Sequence, residues 1–273
     1  MTWMDTAAEL RNARVPAVLV TLASVRGHAP REAGAKLIVT AADLYGTIGG
    51  GNLEMTAVTR AREILASGSG KASGGSGADA HAEPEMLTLR LNDKAPAKYG
   101  RQCCGGEVMV LLEPLPIPAS VAIFGIGNIG LELTRILSRH DIDLHVSDSR
   151  PEQLAALDAL EAPVAKIRRT FAVVGEQVLT DLPTGTHVLI MTHDHAEDLH
   201  LCDAALTRGD LGSIGLIGSS AKWQRFRKNL ITDGHEPEAV DVIDCPIGLP
   251  ALPGKSPATI ALSVAADLIS RMH

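Results

Sequence analysis

The chain has 273 residues, of which 45% are hydrophobic, and a formal charge of −7. That length allows two ordinary domains with sizeable cores, and a net negative chain without a polybasic run excludes nucleic acid and an anionic membrane surface as expected partners. Four cysteines do not make a secreted disulfide framework, and no basic-then-apolar leader or run of about 18 apolar residues is present, so the expected location is the cytoplasm.

The first predicted element is a short helix over 5–14, capped near Asp5 or Thr6 and ended by Pro16. The run 17–25 is almost continuously apolar and β-branched, as expected of a central strand covered on both faces. A polar loop punctuated by Gly and Pro follows, and 35–40 reads as the returning strand, with Arg31 and Lys36 flanking the crossing. As cations there they suit either solvent or a ligand.

Gly49, Gly50 and Gly51 stand together at the entry to an evident helix through Val58, Ala61, Ile64 and Leu65. Three residues without side chains read equally as a nest of amides for an anion or polar ring and as a tight strand-to-helix turn. Glu54, in the first helical turn, complements the helix dipole. Residues 67–84 are rich in Gly, Ser and Ala and read as a flexible surface loop within the first domain, because strand patterns resume at 86–91 and 107–112. Between those strands lies Gln-Cys-Cys-Gly-Gly, where Cys103 and Cys104 suit either a soft-ligand, sulfur-handling site or small buried packing. Pro114, Pro116 and Pro118 then form a stiff linker, dividing the chain into domains 1–117 and 118–273.

The second domain opens on an apolar run from Val121 that breaks into Gly125, Gly127 and Gly130, spaced G-x-G-x-x-G, followed by the helical pattern Leu131, Leu133, Ile136, Leu137. Strand, tight turn and helix start read as a Rossmann-like nucleotide-binding unit, with the helix N-terminus facing an anion, the alternative being a glycine-rich turn in another α/β sheet. The next apolar run ends in Asp148, where a strand-end carboxylate meets a ribose hydroxyl. A short helix is expected over 155–160 and a strand over 186–191. His193, His195 and Asp198 emerge past that strand, at the end where ligands of open α/β sheets bind. His-x-His-x-x-Asp faintly resembles the metal motif of metallo-β-lactamases but lacks the remaining ligands, which leaves polar lining or a helix cap. A further strand over 212–217 runs into Gly218, Ser219 and Lys222 and a basic helix. This arrangement suits an anion, with the serines equally able to cap the helix. Cys245 lies in a loop, and Ser256 and Pro257 start the last helix, which closes the core.

Taken together, the segments containing Arg31 and Lys36, Gly49–Gly51 and Glu54, Cys103 and Cys104, Ser219 with Lys222 and Phe226, and Cys245 resemble the XdhC/CoxI family, in order and over nearly the whole chain. The resemblance implies an N-terminal α/β domain followed by a Rossmann-like parallel-sheet domain. It also implies an accessory protein that is not an enzyme. Such a protein binds molybdenum cofactor (molybdopterin), favours its sulfuration by a cysteine desulfurase, and delivers it to the apo xanthine dehydrogenase molybdenum subunit or a related molybdenum hydroxylase of purine catabolism, as a homodimer. In that reading Arg31 and Gly49–Gly51 cradle the pterin or its phosphate and Cys103 or Cys104 lies near the molybdenum, while Lys36, Glu54, Ser219, Lys222, His193 and Cys245 belong to the cofactor-binding set. Asn128 and His28 depart from the residues frequent in the family.

The alternative is an NAD(P)-dependent oxidoreductase, with a nucleotide in the Rossmann crevice held by Gly125, Gly127, Gly130 and Asp148. Neither Tyr45 nor Tyr99 is followed by the lysine of a Tyr-x-x-x-Lys proton-transfer pair, and no other acid, base and hydride-site constellation replaces it.

Overall fold

The computed structural model describes residues 2–69, 83–91 and 106–272, divided into two compact units, Met1–Ile117 and Pro118–His273. Helix α1, Trp3–Asn12, starts earlier than the sequence suggests. Its cap is Thr2, whose hydroxyl accepts from the Asp5 amide while the Asp5 carboxylate accepts from the Thr2 amide. Asp5 therefore closes a reciprocal box from the helix side and is not the cap itself.

Strands β1 (Ala17–Arg26), β2 (Lys36–Thr40), β3 (Leu44–Gly46), β4 (Glu85–Arg90) and β5 (Glu107–Leu115) form an antiparallel sheet in the order β3-β2-β1-β5-β4. The central place of β1 accounts for its apolar run on both faces. Val18, Val20 and Leu22 meet helix α2, Gly51–Ser69, through Leu53, Ala57, Val58 and Ala61; Ala17 and Leu19 meet Leu10 of α1. Pro114 lies inside β5, opposite Val18, and not in a linker. It is tolerated because β4 begins at Glu85, opposite Leu112, so among the described residues this stretch of β5 pairs with β1 alone. Residues 67–69 continue α2, where a loop was expected; the rest of that loop to 82, and Cys103 and Cys104, lie outside the described residues.

The second unit is a parallel sheet of β6 (Ser120–Phe124), β7 (Asp143–Asp148), β8 (Lys166–Phe171), β9 (His187–Ile190), β10 (Ser213–Leu216) and β11 (Ile243–Asp244). Its order, β8-β7-β6-β9-β10-β11, is the dinucleotide-binding arrangement, with the direction of winding reversing between β6 and β9. Helices α3 (Asn128–Leu137) and α9 (Pro257–Met272) share one core through Leu133, Leu137, Val264 and Leu268, so the last helix does close it. The helix after Asp148, α4, begins at Pro151 and ends at Ala155, with one 3-10 turn over Ala156–Ala159. It starts before the expected 155–160 because Pro151 supplies the first-turn position. Helices α5 (Gly175–Thr180), α6 (His195–Arg208), α7 (Ser220–Thr232) and α8 (Pro237–Val240) complete the unit.

Candidate functional site

The winding reversal leaves a crevice outside the carboxyl ends of β6, β9 and β10. Gly125 makes its tight turn at φ +98°, and a Cβ there would lie 2.3 Å from the Met191 carbonyl oxygen. A Cβ on Gly130 would lie 2.1 Å from the Gly125 carbonyl oxygen, which is how α3 comes to lie against the strand end. Gly127, the residue before α3, has ordinary φ and open space in front of it. This is the position at which backbone can approach a ligand.

Asp148 sits at the end of β7, but its carboxylate is already engaged. One oxygen accepts from the Ile126 amide at 2.7 Å, and the Arg150 guanidinium holds both oxygens at 2.9 Å. Burial pushes this carboxyl up, but the Arg150 and Ile126 bonds outweigh it and leave the pKa below the ordinary carboxylate value. The side chain is 2% exposed, so a ribose hydroxyl would have to displace these donors. Arg150, two residues on, is the partner that the glycine fingerprint did not reveal; the local Asp-x-Arg spacing was the available signal.

Asp198 likewise faces inward, at 0% exposure. It accepts from the Thr192 amide and hydroxyl through one oxygen, at 3.0 and 2.8 Å, and from Lys222 Nζ through the other, at 2.5 Å. Lys222 also donates to the Ile217 carbonyl at 3.0 Å and lies 5.1 Å from the Phe226 ring centre. Ser219 caps α7, its hydroxyl accepting from the Lys222 amide, and Asp194 caps α6. His193 and His195 are exposed. With Thr192, Gly218, Ser219 and Lys222 they line a cavity of about 310 Å³. Among the described residues, no three His, Cys, Asp or Glu side chains are grouped to hold a metal ion. Cys245 follows β11, and a Cβ on Gly218 would lie 3.3 Å from its sulfur and 2.9 Å from Lys222 Cδ, so thiol and lysine stem meet there. Burial pushes the Cys245 thiol up, against the pull of Lys222.

In the first unit, Gly49, Gly50 and Gly51 all have positive φ, +124°, +73° and +62°. The amides do form a nest, and its anion is Glu54. One carboxylate oxygen accepts from the Ile48 amide at 2.9 Å, the Gly50 amide at 3.2 Å and the Thr47 hydroxyl at 2.5 Å, while the Gly49 amide donates to Thr47. Burial raises the Glu54 pKa, but these bonds outweigh it and the net direction is downward. Glu54 is therefore a lock on the loop that precedes it, beyond any complement to the helix dipole. Arg31 is exposed beside this loop, its Cγ 3.5 Å from where a Gly49 Cβ would stand. Lys36 opens β2 and donates to the Thr21 hydroxyl at 2.9 Å.

The structure thus groups His193, Ser219, Lys222 and Cys245 at one crevice with Gly125, Gly127, Gly130 and Asp148, and places Arg31, Lys36, Gly49–Gly51 and Glu54 in the other unit. No described helix is long and apolar enough to cross a membrane.

The chain is 22% identical over 263 residues to "Uncharacterized protein YqeB" of Escherichia coli (strain K12), a match covering 96% of this chain and 45% of that protein, so it spans less than half the length of this relative. A solved Bacillus halodurans structure described as a xanthine dehydrogenase is 19% identical with a TM-score of 0.48, covering 100% of this chain and 96% of that one. The model of the XdhC Rossmann domain matches residues 121–268, and that of the XdhC and CoxI family matches residues 10–72. The chain belongs to the XdhC and CoxI family.

Proposed function

We propose that this protein binds molybdenum cofactor, favours its sulfuration by a cysteine desulfurase and hands it to an apo xanthine dehydrogenase or related molybdenum hydroxylase. The observation that carries this reading is the match of both units, in order, to the XdhC and CoxI family, whose resemblance implies such an accessory role. Family membership supports a maturation role; the cofactor, the desulfurase, a homodimer and a cytoplasmic location are further parts of the proposal.

The fit of the residues to an anionic pterin with a phosphate is selective. Three of the expected contacts are met from inside the protein: Glu54 fills the glycine nest, Arg150 and Ile126 hold Asp148, and Asp198 holds Lys222. These locks stiffen the loops around a ligand but supply little uncompensated positive charge. The groups that fit an anion are Arg31 and Lys36 in the first unit, and in the second the open backbone at Gly127 with the exposed imidazoles His193 and His195. When bound, the cofactor supplies a molybdenum with an exchangeable terminal ligand, the position at which oxygen is replaced by sulfur. The chain's part is to hold the pterin by its charge and to shield it from water until transfer.

The test is the molybdenum and oxidised-pterin content of the full chain purified anaerobically from cells that make the cofactor, beside a Cys103→Ser, Cys104→Ser double variant. Pterin near one per chain supports the carrier reading, and its loss in the variant places the cysteines at the site. Absence of pterin and metal from both proteins overturns it.

One observation favours a second reading. The 3-2-1-4-5-6 winding and the open Gly127 build a dinucleotide crevice. An NAD(P)-dependent oxidoreductase predicts a raised melting temperature with NADP or NAD; no shift with either removes that reading.

A further inference from the structure

A second cavity, of about 280 Å³, lies in the first unit between the start of α1 and the β2–β3 hairpin, lined by Thr2, Trp3, Thr6, Lys36, Tyr45 and two glycines. The chain has 2 Trp and 2 Tyr, and one of each lines this cavity, with Trp3 40% and Tyr45 37% exposed. Both rings line one concave site and keep apolar surface that a flat ligand would cover.

The positions of these groups are fixed by the fold. Trp3 is the first residue of a helix closed by the Thr2–Asp5 box and docked through Leu10 on Ala17, Leu19 and Ile38. Tyr45 pairs with Ile38 across the hairpin. Lys36 is held at 2.9 Å from the Thr21 hydroxyl and 5.0 Å from the Trp3 ring centre. Both of these partners are neutral. Lys222, Arg150 and Arg208, in contrast, are each paired with a carboxylate. Among the described residues no carboxylate pairs with Lys36, so the cavity combines two aromatic walls with a positioned cation.

We propose that this cavity binds a planar, anionic bicyclic heterocycle of the pterin class, its ring against Trp3 and Tyr45 and its negative charge at Lys36. The volume sits just below the range of about 300 to 1,000 Å³ for drug-sized ligands, which suits one bicyclic ring and excludes a dinucleotide. Cation and aromatic face already stand at stacking distance, so the site is preorganised for a flat charged ring. The choice of pterin over purine rests on the carrier reading above; the site itself rests on the cavity.

The test is isothermal titration calorimetry of the full chain with pterin-6-carboxylate and, separately, with urate. Binding of the pterin is expected to weaken about 10-fold in Lys36→Gln and at least as much in Trp3→Ala, while Lys36→Arg, which keeps the charge, retains most of it. Unchanged melting temperature in Lys36→Gln excludes misfolding as the cause. No heat with the wild type, or equal affinity in Lys36→Gln and Trp3→Ala, overturns the site; tighter binding of urate overturns the pterin assignment. Retention of co-purified pterin by Trp3→Ala overturns the site and leaves the carrier reading standing. Absence of pterin from the purified wild type strikes the carrier reading, and the titration then decides the cavity by itself.

Discussion

Two glycine-rich segments lead into helices in this protein, and they use glycine and a carboxylate differently. At Gly49–Gly51 every glycine has positive φ, and the anion that gathers the amides comes from Glu54, on the helix the loop itself begins. At Gly125–Gly130 only Gly125 has positive φ; Gly130 is required by close packing and Gly127 faces open space. The anion there is Asp148, from the next strand. The first loop is sealed by local sequence, so its nest holds its own chain. The second is tied to a neighbouring strand at Ile126 and leaves the backbone at Gly127 uncovered, which is what a ligand site needs. A row of amides around an anion is thus not by itself a ligand site; what decides is whether the anion belongs to the protein.

The strongest way to probe this contrast is at the third lock. Lys222→Met leaves Asp198 buried without its cation and should cost about 3 to 5 kcal/mol in urea unfolding, whereas the Lys222→Met, Asp198→Asn double variant should recover much of that loss. A double variant no better than the single one would show that the pair is not coupled. Gly125→Ala should cost about 3 kcal/mol, since it adds a side chain at positive φ against the Met191 carbonyl.

Glu54→Gln and Asp148→Asn should each cost about 2 kcal/mol at neutral pH, the charge-assisted bonds being weakened in both loops. Their pH dependence has a fixed sign. Both carboxyls lie below the ordinary value of about 4. The stability they confer is therefore fully present above that value and lost as pH falls through the depressed folded values. As pH falls below about 4 the wild type should lose stability more steeply than a Glu54→Gln, Asp148→Asn double variant; parallel curves would refute the locks. Gly127→Ala is expected to change stability by no more than about 0.5 kcal/mol, because φ is ordinary and a Cβ there meets nothing. Any nucleotide-induced rise in melting temperature should nevertheless disappear in that variant.

Much of the second unit is legible in the chain. Val121 to Gly130 reads as strand, turn and helix because apolar periodicity switches at three glycines, and the runs at β7 and β9 lead into Asp148 and Thr192 at the carboxyl ends of the strands. Strand β8, Lys166–Phe171, escapes that reading because it is a sheet edge. Lys166, Arg168 and Arg169 face solvent there, and its apolar side chains are few. The extension of β5 through Pro114 escapes it as well, since a proline signals a break unless the missing neighbour on one side is known.

The sequence by itself determined the glycine turn at β6, the serine cap of α7 and the closing role of α9, all properties carried by neighbouring residues. Only the tertiary structure decided what the charged candidates do. Asp148 meets Ile126, Asp198 meets Lys222 and Lys36 meets Trp3 across long stretches of chain. Even Glu54, close in sequence to its partners, needed the three positive φ values to bring the amides of Ile48 and Gly50 onto one oxygen. The physical reason is that charge is cancelled or left available according to distances in space, and those are set by how the sheets and helices pack.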